Sequence, residues 1–561
     1  MKIKKIALRI LYAILIFITA FIIYFNIDAR ISPPEEDNLS YLQDSVICLD
    51  SNFYKIKNNS LRKNKYGIWE LYLEGKAFEM GVYNGKLTHN LIEIQEDAFV
   101  NQIHKFIPDN FYLKFLKYFI AWFNRDIDEH IPLEYQKEID GISRTLGNDY
   151  EFIAPNYQRM LNYHAAHDIG HALSDLALVG CTSFAVNMNR NDSNLLIGRN
   201  FDFYINDEFA ENKVVCFVSP DKGYKFMYYT WASMIGVVSG MNEKGLTVTI
   251  NAAKSDIPYK AATPISILAR YILQNAQNIK EAYSIASKFE TFVSESILIG
   301  SAQDNEAAII EKSPTKMGMF FSKTDAVVCA NHFQSKTFAK DPNNIKNIET
   351  SASPYRELRC WQLIQKKDTF NYFDVASILR DTRGLDGKNI GLGNEKAMNQ
   401  LISHHSIIFK PNELKVWVST PPYQLGKYIE YDLHKIFNIM PLKNTNSEIC
   451  DTNFTIPEDS LLYSKDFENY KKFVHLRHKI NNLIKENKTL QNEDSIINEF
   501  VSLNPEYYLG YFTAGNYYFT FKKYNKAKTM YNKALTKVFE NTEQKDFVKN
   551  RLKTINEKIK Q

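Results

Sequence analysis

The chain opens with a block of apolar residues. An uninterrupted run from Ile10 to Phe25 follows Lys2, Lys4, Lys5 and Arg9, and an acidic, proline-bearing stretch, "DARISPPEED", comes after it. The sixteen residues of that run would span about 24 Å as a helix. Adding Ile6 to Leu8, with Arg9 snorkelling, approaches the roughly 20 residues a bilayer requires. The pattern predicts an N-terminal transmembrane helix over residues 1–28, with the basic flank cytoplasmic and the rest of the chain extracytoplasmic. A cleaved signal peptide and a buried helix are the rival readings. Neither an A-x-A site nor a lipobox cysteine supports the cleaved form.

From about Ser40 to Gly180 the apolar spacing is mixed and mainly helical, as in "YLKFLKYFIAWFNRDIDEHIPLEYQKEIDGISRTLG". At Cys181 the texture changes. "TSFAVNM", "NLLIGRNFDF", "KVVCFVSP", "KFMYYTW", "IGVVSGMN" and "LTVTINAA" are short β-type runs divided by polar or glycine turns. A helical pair, "TPISILARYILQNAQNIKEAYSIASKF", separates them from strands in "SILIGSAQDNEAAIIEKS" and "DAVVCANHF". A helix over 353–366 and the strand pair "HSIIFKPNELKVWVST" complete the region. Strands, then helices, then strands predict a layered α+β domain with two sheets over residues 181–443. Residues 444–561 turn helical and polar. There Gly515, Tyr518, Ala527, Tyr531 and Ala534 keep the spacing of one tetratricopeptide repeat. The usual proline and a second repeat are missing, so an ordinary helical hairpin fits as well as a protein-docking tail.

Composition narrows the picture only a little. At 561 residues the chain is long enough for several domains, and 45% hydrophobic content lets most of it bury a core. A net charge of +4 gives no whole-chain argument for a nucleic-acid partner. The six cysteines show no metal-like spacing and are too sparse for a disulfide scaffold. Cys216 and Cys329 sit in apolar strand runs and read as core. His164, His167 and His171, with Asp168, offer a zinc reading, but no HExxH accompanies them. They are read as packing around the Gly180–Cys181 junction, and no metal or cofactor is predicted.

The chemistry gathers downstream of "LVGCTSF". Arg199 and Asp202 stand three apart in "GRNFD", Asn251 closes a β-type run after "MNEKGL", Asn331 lies in "NHF", and Arg356 and Arg359 lie in "SPYRELR". Any one of these has a structural explanation: a surface ion pair, a strand-end turn, a solvated helix face. The ordered set resembles the Ntn hydrolases of the acyl-CoA:6-aminopenicillanic acid acyltransferase-like family, related to the choloylglycine hydrolases, over roughly Gly180 to Tyr423. The resemblance implies a four-layer αββα fold and self-cleavage between Gly180 and Cys181. It also implies Cys181 as nucleophile, Arg199 favouring its thiolate, and Asp202 orienting the new α-amine. Asn251 would be the oxyanion donor, Asn331 would hold the amine or the substrate amide, and Arg356 would be a later active-site arginine. Between "NHF" and "SPYR" the chain is longer than the pattern suggests, so Arg356 and Arg359 both remain candidates. His332 is read as a neighbour, not a base.

Physical chemistry gives reasons for that set. A thiol at Cys181 can attack the preceding carbonyl, and glycine at 180 leaves that carbonyl uncovered. Cleavage exposes an α-amine whose ordinary pKa is about 7.7–8.0. It can act as base toward its own thiol without a histidine. The expectation is a membrane-anchored cysteine amidase or acyltransferase that takes a small acyl amide. The alternative is a non-catalytic scaffold using the helical tail, and retention of the whole polar set argues against it. Residues 40–180 would persist as a propeptide or small subunit and help wall the acyl pocket.

Overall fold

The structure, a computed structural model, describes residues 2–106, 110–172, 178–187, 194–256, 260–439 and 449–560. Helix α1 covers Lys2–Asp28. Strands β1 (Ile47–Asp50), β2 (Phe53–Ile56), β3 (Asn59–Lys63) and β4 (Trp69–Gly75) lead into five helices. These are α2 (Ala77–Leu87), α3 (His89–Phe106), α4 (Asn110–Phe123), α5 (Leu133–Ser143) and α6 (Asn156–Ala172). Strands β5 (Leu178–Val179), β6 (Thr182–Val186), β7 (Leu196–Phe201) and β8 (Phe203–Tyr204) frame the junction. Then come β9 (Val214–Pro220), β10 (Phe226–Thr230), β11 (Ser239–Asn242), β12 (Leu246–Ala252), α7 (Ile265–Asn275) and α8 (Ile279–Ala286). The chain continues through β13 (Glu295–Ser301), β14 (Glu306–Lys312), β15 (Met317–Phe320), β16 (Ala326–Cys329), α9 (Pro342–Thr350), α10 (Ser353–Ile364) and α11 (Tyr372–Leu379). Strands β17 (His405–Lys410), β18 (Lys415–Ser419) and β19 (Tyr428–Asp432), helix α12 (Leu433–Ile439) and strand β20 (Asp451–Ile456) close the domain. Helices α13 (Lys465–Lys485), α14 (Glu493–Leu503), α15 (Tyr508–Thr520), α16 (Tyr524–Leu535) and α17 (Thr542–Lys560) form the tail.

Two sheets result. One has eleven strands in the order β1-β2-β3-β4-β9-β10-β11-β12-β13-β14-β15; the other has seven, ordered β16-β6-β7-β17-β18-β19-β20. Between them lies an apolar layer that includes Phe217, Met227, Leu298, Ile407, Phe409 and Val418. The far side of the larger sheet packs on α2, α5, α6, α7 and α8 through Val82, Ile139, Leu161, Leu268 and Ala282. Cys360, Val375 and Leu379, from α10 and α11, cover the far side of the smaller sheet. Helix, sheet, sheet and helix give the four-layer αββα sandwich that the family resemblance implied.

The segment before Cys181 is built into this sandwich. Strand β4 pairs in parallel with β9 from Trp69↔Val214 to Gly75↔Pro220, so β1–β4 extend the larger sheet. Helices α2 and α5 approach closely at two glycines. A Cβ on Gly81 would lie 2.0 Å from the Glu138 carbonyl oxygen, and one on Gly141 would lie 2.5 Å from that of Phe78. Glu138 on α5 then forms a buried, two-pronged ion pair with Arg270 on α7, at 3.0 and 2.6 Å.

One expectation is corrected. Among the described residues, no helix is long and apolar enough to cross a membrane. The transmembrane helix over residues 1–28, and the single-pass placement drawn from it, therefore do not stand. The physical reason lies in the run itself: Ile10–Phe25 reaches about 24 Å, short of a hydrocarbon core of about 30 Å, and only charged Arg9 bridged the difference. The tail helices close on their own apolar cluster, centred on Phe473, Phe500, Tyr508, Tyr517 and Tyr531. Nothing in that packing supports a tetratricopeptide array or a protein-docking face.

Candidate active site

The Gly180–Cys181 peptide stands at the mouth of the smaller sheet. Strand β6 begins at Thr182 and pairs with β7, setting Thr182 opposite Asn200 and Ser183 opposite Arg199. The ladder continues backward, with the Gly180 amide donating to the Asp202 carbonyl at 3.1 Å. The Gly180 carbonyl accepts from Gln400 Nε2 at 2.6 Å. Both polar groups of Gly180 are therefore held. A Cβ there would sit 2.5 Å from Gln400 Oε1 and 2.6 Å from Nε2, so the position admits only glycine without displacing that amide.

Cys181 is 1% exposed. Arg199 Nη2 donates to its Sγ at 3.6 Å, and the thiol points to the Asp202 carbonyl at 3.9 Å. Burial pushes the thiol up to about 11, and the Arg199 charge opposes the rise without cancelling it. At pH 7 that leaves the sulfur a neutral thiol. Arg199 crosses from the smaller sheet to the larger one. Its Nη1 donates to the Val238 carbonyl at 2.6 Å and to the Ser239 hydroxyl, and Nη2 donates to the Ile250 carbonyl at 2.5 Å. The Ser239 hydroxyl is also hydrogen-bonded to His405 Nε2, 2.9 Å away. His405 Nδ1 in turn is hydrogen-bonded to His404 Nδ1 at 3.0 Å. Burial holds both imidazoles well below their ordinary pKa, so this chain orients Arg199 without adding charge.

Asp202 is fully buried. Its carboxylate accepts from the Ser403 hydroxyl and from Gln400 Nε2, the latter at 3.1 Å. Burial raises it to about 7, against the lowering effect of the Ser403 hydrogen bond. Asn251 bridges the sheets beside the cysteine: its Oδ1 accepts from Ser183 Oγ at 3.0 Å, and its Nδ2 donates to the Cys329 carbonyl at 3.0 Å. One hydrogen of that amide remains for another acceptor. Asn331 donates to the Ala252 carbonyl at 3.0 Å, and its Oδ1 accepts from Arg356 Nη2. Arg356 also reaches Thr182 Oγ1 at 3.1 Å and the Glu395 carbonyl at 2.7 Å.

The two sequence candidates on α10 therefore separate. Arg356 joins Asn331 to the residue after Cys181. Arg359 turns away into a two-pronged pair with Asp381, at 2.8 and 3.0 Å. His332 bonds Ser353 Oγ at 2.7 Å and Glu357 at 3.0 Å, as a neighbour would. His164 is buried, with one ring nitrogen on the Met160 carbonyl at 2.7 Å and the other accepting from the Ile235 amide at 3.0 Å. The side chains of His167 and His171 lie outside the described residues.

Beside the site is a largely apolar cavity lined by Ile92, Phe99, Tyr163, Phe203, Phe209 and Trp231, so helices from before Cys181 form part of its wall. It is one ring removed from Arg199: the guanidinium lies 4.4 Å from the Phe201 ring, which stacks on Phe203 at 5.5 Å and Trp231 at 6.4 Å. Gln400, Ser403, Ser239 and His405 are the residues that sequence reasoning missed. None keeps a readable spacing from Cys181, and only the folded sheets bring them together.

A comparison with curated proteins finds no match. Among solved structures, the chain is similar to an N-acylethanolamine-hydrolyzing acid amidase ortholog from Caenorhabditis elegans, at 17% identity and a TM-score of 0.31, covering 41% of this chain and 93% of that one. A mutant conjugated bile acid hydrolase from Clostridium perfringens matches at 13% identity and a TM-score of 0.31, covering 48% and 95%. A second variant of that hydrolase gives 15% identity and a TM-score of 0.30, covering 46% and 93%. The fold assignment itself rests on the two sheets described above. The family model described as acyl-coenzyme A:6-aminopenicillanic acid acyl-transferase matches residues 188–421. That stretch begins just after the Gly180–Cys181 junction and contains Arg199, Asp202, Asn251, Asn331 and Arg356. Over residues 188–421, the chain is similar to this acyltransferase family.

Proposed function

We propose that the chain is a cysteine amidase or acyltransferase whose nucleophile, Cys181, is freed by cleavage of the Gly180–Cys181 bond. The observation that carries the reading is the junction itself. A buried thiol under the Arg199 guanidinium follows a glycine whose carbonyl and amide are both fixed. Cleavage turns the Cys181 nitrogen into an α-amine with an ordinary pKa of about 7.7–8.0. That amine takes the proton from a thiol too buried to ionise alone, and Arg199 supports the thiolate as it attacks.

In turnover, sulfur adds to the acyl carbon of an amide and the carbonyl pair moves to oxygen. The remaining Asn251 N–H is the proposed donor to that oxyanion, a contact whose loss costs on the order of 10²–10³ in rate. The α-amine returns its proton to the leaving nitrogen, and an acyl thioester stays on Cys181. Water or a second amine resolves it; hydrolysis and transfer differ only in this step. Asp202 orients the α-amine, and Asn331 with Arg356 holds the amide. The aromatic cavity beside Phe201 suits an apolar acyl group.

The test is to offer N-acyl amino acids, lipid amides and penicillin-like amides to the purified protein and weigh it intact after acid quench. A mass gain equal to the acyl group, localised to Cys181 and missing in Cys181→Ala, supports the reading. An unmodified Cys181 with every class of acyl donor would sink it in favour of an inert platform.

A further inference from the structure

We infer that Gln400 is the catalytic donor that opens the Gly180–Cys181 bond. The inference rests on the self-cleavage reading above and adds the group that receives the developing charge. Gln400 is 1% exposed, and its Nε2 touches two groups, the Gly180 carbonyl at 2.6 Å and the Asp202 carboxylate at 3.1 Å. Gly180 O can only accept, so the NH2 end of the amide must face it. The donor is therefore aimed at the one oxygen that gains charge when this bond is attacked.

Two further observations indicate a built site. Leu401, next in the chain, adopts φ 54°, a left-handed backbone that leucine rarely takes. The Leu401 amide is secured on Asn399 Oδ1 at 3.0 Å. This turn lies between Gln400 and Ser403, and both side chains converge on Asp202. The second is Gly180: the space a Cβ would need is occupied by the Gln400 amide, 2.5–2.6 Å away. Glycine is thus required at this position partly because Gln400 must reach the carbonyl.

The step balances within the chain. Cys181 sulfur forms a bond to the Gly180 carbonyl carbon, and the π pair moves onto oxygen beneath Gln400 Nε2. Collapse of that oxyanion breaks the C–N bond, and the thiol proton ends on the nitrogen as the new α-amine. Water then adds to the Gly180 thioester, releases a carboxyl group and restores the thiol. Gln400 stabilises both tetrahedral states by the same contact, as a preorganised amide donor does.

The experiment follows cleavage of the full chain on a denaturing gel for wild type, Cys181→Ala, Gln400→Ala and Gln400→Glu, with circular dichroism on each. Gln400→Ala should cut on the order of 10²–10³ times more slowly than wild type. Gln400→Glu, purified uncut at high pH, should cut as the pH is lowered, because a protonated glutamic acid again offers a donor to the Gly180 carbonyl. Acid rescue within one folded preparation is a response that a merely structural glutamine would not give. The inference is overturned if Gln400→Ala cuts at the wild-type rate, or if folded Gln400→Glu stays uncut at every pH. A wild-type chain that never splits removes the self-cleavage reading itself, which is a different result on the same gel.

Discussion

The clearest energetic prediction concerns how the segment before Cys181 is joined to the rest. Glu138 on α5 and Arg270 on α7 lie on opposite sides of the junction in sequence, and their side chains are each 1% exposed. Arg270 also donates to the Ile235 carbonyl at 3.1 Å and lies 4.5 Å from the Tyr135 ring. Arg270→Met removes one charge and leaves the Glu138 carboxylate buried without its partner, at a cost of about 3–5 kcal/mol. At about 1.4 kcal/mol per tenfold, that is roughly a 140- to 3,700-fold loss in the folding constant. The double variant Glu138→Met/Arg270→Met removes both charges from surroundings that are largely aromatic and aliphatic, and should regain most of the loss. Urea unfolding by tryptophan fluorescence measures both, in a Cys181→Ala background so that each chain remains one covalent piece. A single-variant loss below about 1 kcal/mol, the value of an exposed pair, would refute the reasoning. So would a double variant as unstable as the single.

Arg356→Lys should slow thioester formation by on the order of 10²-fold, since a point charge cannot hold Thr182, Glu395 and Asn331 together. Arg359→Lys should keep near-normal kinetics and lower stability instead, and stopped-flow acylation with thermal melts distinguishes the two. Asp202 gives a pH prediction: burial raises it from the ordinary 3.8 to about 7. With the folded value above the unfolded one, its contribution to stability is fully present below about pH 4 and is lost as pH rises through 7. At 1.36 kcal/mol per pH unit, the loss approaches about 4 kcal/mol. The unfolding free energy of Cys181→Ala should therefore fall between pH 4.5 and 8, and adding Asp202→Asn, which cannot ionise, should flatten that fall.

The strands after Cys181 were legible because their β-branched and aromatic runs are broken by polar and glycine turns. "LTVTINA" is β12 with little ambiguity. Strands β3 and β4 were hidden by their charges: Arg62 and Glu70 look like solvated positions but form a buried pair at 2.6 Å, which erases the apolar alternation of a strand. The polar set around Cys181 could be listed from "GRNFD", "NHF" and "SPYR", yet only the geometry of α10 against β6 separates Arg356, on Thr182 and Asn331, from Arg359, on Asp381. Gln400 and Ser403 lie in an irregular loop whose meaning comes from the left-handed turn at Leu401. The terminal apolar run misled because its composition resembles a span while its length falls short of one. In the tail, Gly515 does mark a close helix approach, with a Cβ there 2.5 Å from the Tyr531 ring. One such contact does not make a repeat array.

The central claim is that Gly180–Cys181 is a bond the chain cuts to create its own nucleophile. Intact mass and a denaturing gel of freshly purified protein test it without knowledge of any substrate. Wild type should give two pieces of about 180 and 380 residues, the larger beginning at Cys181, while Cys181→Ala stays whole at 561 residues. A folded wild-type chain that remains a single 561-residue species, with Gly180 still joined to Cys181, would contradict the account.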